Sequence, residues 1–285
     1  MKIFSTSSNK ELANKVAKAA KMAVGKASIK SFADGELCVR VPATASRQNI
    51  VFGSTQQPDS NLLELIWLAS AFKKPTIIAP YLGYMRQDRA FPSGSVVAAK
   101  IVADLISSRA SKIITLDIHG PKAMAHFGPK LKNLTALPIL ADEIKKYDDN
   151  AVIVAPDLGA RKRSKTLAKM CDGLPTAVIT KTRPSAGRAV AKSIKGNVAG
   201  KNIILIDDMI DTGGTLIAAA RLLKKKGAKK IIAAATHGIF SKNALTRLKV
   251  AGIENIIVTD TIPQNNRPKY LKVVSIAEVI AEELR

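Results

Sequence analysis

Residues 203–215 read IILIDDMIDTGGT, and this run constrains the fold more than any other part of the chain. Ile203, Ile204, Leu205 and Ile206 are aliphatic without alternation, the pattern of a strand covered on both faces, as in a parallel sheet. The run stops at Asp207 and Asp208, continues through Asp211 and Thr212, and reaches Gly213, Gly214 and Thr215. Beyond it, Leu216, Ala220 and Leu223 share one helical stripe, Lys224, Lys225 and Lys226 fill the last turn, and Gly227 supplies the stop. The loop therefore joins the carboxyl end of a strand to the amino end of a helix. Backbone N–H groups there lack helical partners, and glycines let an anion come close, so the stretch predicts a phosphate cradle. Asp207 and Asp208 are placed to accept hydrogen bonds from sugar hydroxyls or to hold a metal ion. A simple helix cap is the alternative, but it needs one such residue rather than the whole set.

The string DDMIDTGGT resembles the phosphoribosyl-diphosphate loop of the type I phosphoribosyltransferase fold. Many transferases share that loop, as do the synthases of the phosphoribosyl donor, so the remaining motifs must choose among them.

Composition narrows the partners. The formal charge is +23, yet the lysines are dispersed (Lys15, Lys18, Lys100, Lys145, Lys192, Lys229) and do not form a basic arm with interleaved aromatics. That pattern reads as solvated surface with attraction for phosphorylated substrates, and argues against nucleic acid as the main partner. Cys38 and Cys171 lie far apart without zinc-type spacing, which predicts reduced thiols. No apolar run approaches the ~18 residues of a membrane span, and the first residues lack a signal-peptide core, so a soluble cytoplasmic protein is expected.

Along the first half, an amphipathic helix is predicted over 10–21. Phe32-Ala-Asp34-Gly35-Glu36 precedes the alternating Leu37, Val39 and Val41, and an Asp-Gly pair between two β-like runs signals a hairpin. Strands are expected over 49–53 and 76–80 with a helix over 61–72 between them, the alternation of a parallel sheet. The next loop, YLGYMRQDRAF over 81–91, carries Arg86 and Arg89, whose forked donors suit phosphate, and Gln87, which suits a base edge. A helix over 96–107 leads to a strand over 112–116 that ends in Asp117-Ile118-His119-Gly120, where a neutral imidazole can ligate a cation. Residues 126–128 read as loop, 139–147 as a short helix, and 147–150 as a boundary between domains 1–147 and 148–285.

The second half restarts with a buried strand over 151–155 followed by Pro156-Asp157-Leu158-Gly159, then a strand over 177–180 followed by Lys181-Thr182-Arg183. Two cations one residue apart on extended backbone point to one side and can neutralise charge developing on phosphorus. Further strands are expected over 230–236 and 255–259, with a closing helix near the C-terminus.

Taken together, these motifs resemble the ribose-phosphate diphosphokinases, and the resemblance covers nearly the whole chain. It implies two tandem phosphoribosyltransferase-like α/β domains, each a mainly parallel sheet flanked by helices. It also implies that Phe32, Asp34, Gly35, Glu36, Arg86 and Gln87 bind ATP, that Asp207, Asp208, Asp211, Thr212, Gly213, Gly214 and Thr215, with Arg183, bind ribose 5-phosphate, that Lys181 and Arg183 are catalytic, and that His119 and Asp157 hold Mg2+. The family more often has Leu and Ala where this chain has Ile118 and Gly120, and Gly120 is expected to loosen the turn. The implied reaction moves a diphosphoryl group from ATP to the 1-hydroxyl of ribose 5-phosphate. A phosphoribosyltransferase using the same loop, or a non-catalytic regulatory homologue, is the alternative. Because a neighbouring subunit can complete the ATP site in the family, a homo-oligomer is expected.

Overall fold

The computed structural model describes residues 1–42, 49–147, 149–185, 188–265 and 267–285, with the side chains of 181–192 outside the description. The chain forms two compact units: Met1–Thr135 with Thr261–Pro263 and Ser275–Arg285, and Ala136–Asp260 with Gln264–Val274.

The first unit runs β1 (Lys2–Ser5), α1 (Lys10–Ala19), β2 (Ala23–Val24), β3 (Ser28–Ser31), β4 (Leu37–Arg40), β5 (Ile50–Phe52), α2 (Ser60–Ser70), β6 (Thr76–Ile78), α3 (Ala98–Arg109), β7 (Lys112–Leu116), α4 (Pro121–Phe127) and β8 (Leu131–Leu134). Six strands form one parallel sheet in the order β2-β1-β5-β6-β7-β8. Val51, Ile77 and Ile113 on its strands bury against Leu65 and Leu68 of α2 and Val102 and Ile106 of α3, which is why these strands read as unbroken apolar runs. Strands β3 and β4 make a separate antiparallel hairpin. Of residues 126–128, expected as loop, the first two are helical and close α4: Pro121 stands in its first turn, where the missing N–H costs nothing, and Ala123 and Phe127 bury at i and i+4.

The second unit runs α5 (Leu137–Ile144), β9 (Ala151–Ala155), α6 (Arg161–Met170), β10 (Thr176–Ser185), β11 (Arg188–Lys195), β12 (Asn202–Ile210), α7 (Gly214–Lys225), β13 (Lys230–Gly238), α8 (Ala244–Val250), β14 (Asn255–Thr259) and β15 (Leu271–Val274). Its sheet has the order β11-β10-β9-β12-β13-β14-β15, parallel except for the antiparallel β10–β11 pair. The strand expected to end at 180 instead continues to Ser185 and pairs with β11, which pattern reading did not foresee.

The compact units part at Thr135/Ala136, whereas the sequence suggested a boundary at 147/148. Helix α5 packs on α6 and β13 of the second unit, while the closing helix α9 (Ala277–Glu282) returns to the first and packs on α1. Ile280 and Ala281 of α9 are fully buried, and Glu283 receives Lys112 at 2.6 Å and Lys132 at 3.5 Å. Those pairings hold the carboxyl of Glu283 below the usual carboxylate range, chiefly through the Lys112 hydrogen bond. A helix taken from the far end of the sequence is invisible to any linear boundary.

Candidate functional site

The cradle in the second unit grows from β12. This strand extends to Ile210, four residues beyond the predicted end, because β13 continues beside it: Asp207 faces Ala235, Met209 faces His237 and Ile210 faces Gly238. The ladder thus fixes the backbone that carries Asp207 and Asp208. The chain then turns through Asp211 and Thr212 to Gly213, the N-cap of α7, whose backbone is left-handed (φ +73°). The N-cap is a glycine and brings no capping side chain of its own, which suits first-turn N–H groups offered to an anion. A side chain at Gly213 would also sit tightly: a Cβ there would lie 3.0 Å from Leu248 of α8.

Beside this loop lies an acidic pair. The N–H of Asp208 donates to Asp207 Oδ1 at 3.0 Å and that of Met209 to Asp208 Oδ1 at 2.9 Å. Strands β9 and β12 are parallel neighbours, so their carboxyl ends bring Asp157 near Asp207. Burial first, then Asp208, then Asp157, push the Asp207 carboxyl well above the ordinary carboxylate range. Such a cluster is relieved by a cation or by hydroxyl donors. Asp157 accepts the N–H of Ala160 at 3.2 Å, which fixes its position at the start of α6.

Among the described residues no group of three or more His, Cys, Asp or Glu surrounds a metal position. Mg2+ does not require one, since it is commonly held by one or two carboxylates with waters and substrate phosphates. The half-buried oxygen donor of Asp157, beside a carboxyl that is penalised for its charge, fits that mode.

In the first unit the hairpin tip is built as predicted. Gly35 takes a left-handed φ of +94°, Phe32 N–H donates to the Glu36 carbonyl at 2.8 Å, and Glu36 N–H donates to Asp34 Oδ1 at 3.0 Å. Phe32 remains 56% exposed, a free ring face for stacking, and lines a cavity of about 200 Å³ with Lys30, Cys38 and Arg40. The 81–91 loop is anchored at Tyr84, whose hydroxyl donates to Asp59 while the Gln57 amide donates to the same carboxylate at 2.6 Å. The Tyr84 bond lowers the pKa of Asp59 and raises that of Tyr84. Arg86 and Gln87 stand exposed on the anchored loop. The His119 turn is a neighbour, since Asp88 Oδ2 comes within 3.7 Å of where a Cβ on Gly120 would stand. The backbone of Gly120 is extended (φ −167°), a conformation open to alanine, so glycine brings no special geometry here. The turn itself is tied down: Asp117 accepts from Thr135 Oγ1 at 2.9 Å, and Ile118 N–H donates to Asn133 Oδ1 at 3.0 Å.

Family models match both ends of the chain: the N-terminal domain of ribose phosphate pyrophosphokinase over residues 1–109, and the phosphoribosyl synthetase-associated domain over 172–285. A ribose-phosphate pyrophosphokinase of Thermotoga maritima is 36% identical over all of this chain and 94% of its own length. One from Aquifex aeolicus is 39% identical over all of this chain and 95% of its own length. The chain belongs to the ribose-phosphate pyrophosphokinase family. A crystal structure of the phosphoribosylpyrophosphate synthetase from Mycobacterium smegmatis, 34% identical, superposes with a TM-score of 0.90 over all of this chain and 97% of that one.

As in that relative of the pyrophosphokinase family, the fold is α/β, with parallel sheets flanked by helices. Phe32, Asp34, Gly35, Glu36, Arg86, Gln87 and His119 fall in the first unit; Asp157, Asp207, Asp208, Asp211, Thr212, Gly213, Gly214 and Thr215 fall in the second. Lys181 and Arg183, expected on extended backbone just past a strand over 177–180, belong to the backbone of β10 itself, with a register shift between Thr180 and Lys181; their side chains lie outside the described residues. Sequence reasoning did not single out Asp59 and Gln57, which hold the 81–91 loop, or Ser241 and Arg247, which bond Asp211 and the Thr212 carbonyl. None of the four lies in a motif, and no local pattern announces a hydrogen bond made across 25 to 35 positions. His237 is buried on β13.

Proposed function

We propose that this protein transfers the β,γ-diphosphoryl group of ATP to the 1-hydroxyl of ribose 5-phosphate, forming 5-phosphoribosyl 1-diphosphate and AMP. The observation that carries the reading is the glycine N-cap of α7, joined through Asp211 and Thr212 to the Asp207–Asp208 pair, in a chain alignable from end to end with pyrophosphokinases. The N–H groups of Gly214 and Thr215, with the Thr212 and Thr215 hydroxyls, take the 5-phosphate. Asp207 and Asp208 accept the ribose hydroxyls, which donate to the carboxylates and relieve their mutual repulsion. Phe32 stacks on the adenine, Asp34 and Glu36 accept from its edge, and Arg86 and Gln87 bind the nucleotide from the neighbouring loop. Lys181 and Arg183 neutralise the charge that develops on the transferred phosphorus. No strong general base is required, because phosphoryl transfer proceeds chiefly by positioning and charge neutralisation.

Asp157 and His119 are each proposed as magnesium ligands. Mg2+, when bound, offsets the negative charge of the ATP phosphates.

We also propose a homo-oligomer. Supporting it, Leu63 and Trp67 of α2 and Ile101 and Leu105 of α3 are each more than 40% exposed on two helices that pack together. Sedimentation should show more than one copy, and Trp67→Glu should reduce the association. Among the described residues no helix is long and apolar enough to cross a membrane. A cytoplasmic location is our reading from the two free cysteines.

The test of function is AMP release from ATP with ribose 5-phosphate and Mg2+. Binding of both substrates without turnover would overturn the reading in favour of a regulatory homologue, and turnover of a preformed phosphoribosyl donor with a free base would favour a phosphoribosyltransferase.

A further inference from the structure

The phosphate cradle is braced from behind by a segment that no sequence motif marks. After β13 ends at Gly238, the N–H groups of Ile239 and Phe240 both donate to the carbonyl of Ile210, at 2.9 and 3.0 Å, so this segment is tied to the residue just before the loop. Three of the four residues over 240–243 take left-handed backbone, none of them glycine: Phe240 (φ 55°), Lys242 (φ 52°) and Asn243 (φ 55°). Each such conformation is disfavoured for an L-residue and persists only where surrounding contacts impose it. The turn they make presents the Ser241 hydroxyl to Asp211, to whose Oδ1 it donates a short hydrogen bond. One helical turn further on, Arg247 Nη1 donates to the carbonyl of Thr212 at 3.2 Å, and Leu248 fills the space beside Gly213. Three consecutive loop residues thus each have a partner in the same buttress.

We propose that Ser241 is a positioning residue for sugar-phosphate binding, with Arg247 as its auxiliary. This rests on the reading of the loop as the ribose 5-phosphate cradle. A carboxylate beside a phosphate site repels the ligand unless its charge is turned away and satisfied by a donor. Ser241 supplies that donor to Asp211 without adding a side chain to the cradle. Arg247 fixes the peptide that follows, so that the next N–H groups face outward at the start of α7. Neither side chain needs to touch the sugar phosphate.

The test uses calorimetric binding of ribose 5-phosphate and, in parallel, steady-state turnover of the full-length protein. Ser241→Ala should weaken ribose 5-phosphate about tenfold or more, the effect of removing a hydrogen-bond donor from a charged acceptor, with KM for ATP and kcat within about twofold. Ser241→Thr keeps the hydroxyl and should restore most of the loss. Arg247→Ala should weaken the same ligand by a smaller factor, because its bond is to a neutral carbonyl. An alanine variant that binds ribose 5-phosphate like the wild type, one that loses ATP and ribose 5-phosphate affinity equally, or a threonine variant no better than alanine would each overturn the inference. A wild type that binds ribose 5-phosphate but does not turn over refutes the proposed reaction alone, since the Ser241 contrasts are still read by binding. A wild type that does not bind the sugar phosphate refutes both.

Discussion

Replacing Gly213 with alanine perturbs two separable quantities. The backbone there has φ +73°, where an L-residue pays roughly 1–2 kcal/mol. The new methyl would also lie 3.0, 3.1 and 3.4 Å from three atoms, all of them in the side chain of Leu248. Overpacking of that kind costs about 1–3 kcal/mol, and Leu248 is fully buried, so it yields little. The expected destabilisation is about 2–5 kcal/mol, followed by denaturant unfolding, together with weaker ribose 5-phosphate binding. Because a single side chain supplies every close contact, a double-mutant cycle can divide the two costs. Leu248→Ala alone should cost about 2–5 kcal/mol for the cavity it leaves. In the double variant the added methyl occupies part of that cavity, so the crowding part is recovered and only the backbone part persists. The interaction energy should then be about 1–3 kcal/mol in the favourable direction. Additivity within about 0.5 kcal/mol would refute the contact, and an unchanged Gly213→Ala variant would refute the left-handed cap as well.

Asp207→Asn should make the protein more stable at neutral pH while weakening ribose 5-phosphate binding. Folding raises the Asp207 pKa, so its contribution favours the folded state at acid pH and is lost as pH rises from the ordinary carboxylate range through the raised value. Thermal midpoints measured against pH without metal or substrate should fall less steeply for the variant, and parallel curves would contradict the burial and crowding of this carboxyl. Lys181→Ala should lower kcat at least about a hundredfold with little change in ribose 5-phosphate binding, and normal turnover would remove Lys181 from the mechanism. Ile280→Ala should cost about 2–5 kcal/mol, whereas Glu283→Gln, losing a partly exposed pair, should cost no more than about 1 kcal/mol. The reverse order would mean that ion pairs, not apolar burial, dock α9.

How much of this was legible in the sequence depended on whether the cause was local. The cradle was readable because each of its requirements is met within one continuous stretch, residues 203–226: an apolar run, the paired acids, two glycines and a basic helix end. The Asp34-Gly35 turn was readable for the same reason, and Gly35 adopts the positive φ that the pair announces. What escaped was decided by partners distant in the chain. Asp207 and Asp208 were expected in a loop because the apolar pattern stops before them, yet they belong to a strand because β13 runs alongside as far as Gly238. Residues 126–128 offered too short a window for a helical period, and only the burial of Ala123 and Phe127 shows why α4 forms. Helix α9 was read as the end of the second domain, but its apolar face and the carboxylate of Glu283 find their partners near positions 10–19, 112 and 132. The same division applies to the site. Residues proposed to touch ligands announce themselves by type and spacing, because a phosphate or a ribose imposes its own chemistry on a short segment. Residues that hold those segments in place, such as Asp59 for the 81–91 loop and Ser241 for the cradle, need only offer one hydrogen-bonding group at the right point in space, and almost any local sequence can do that. Substitutions at the first kind of residue should therefore alter chemistry or binding directly, and substitutions at the second kind should act through the geometry of a neighbour.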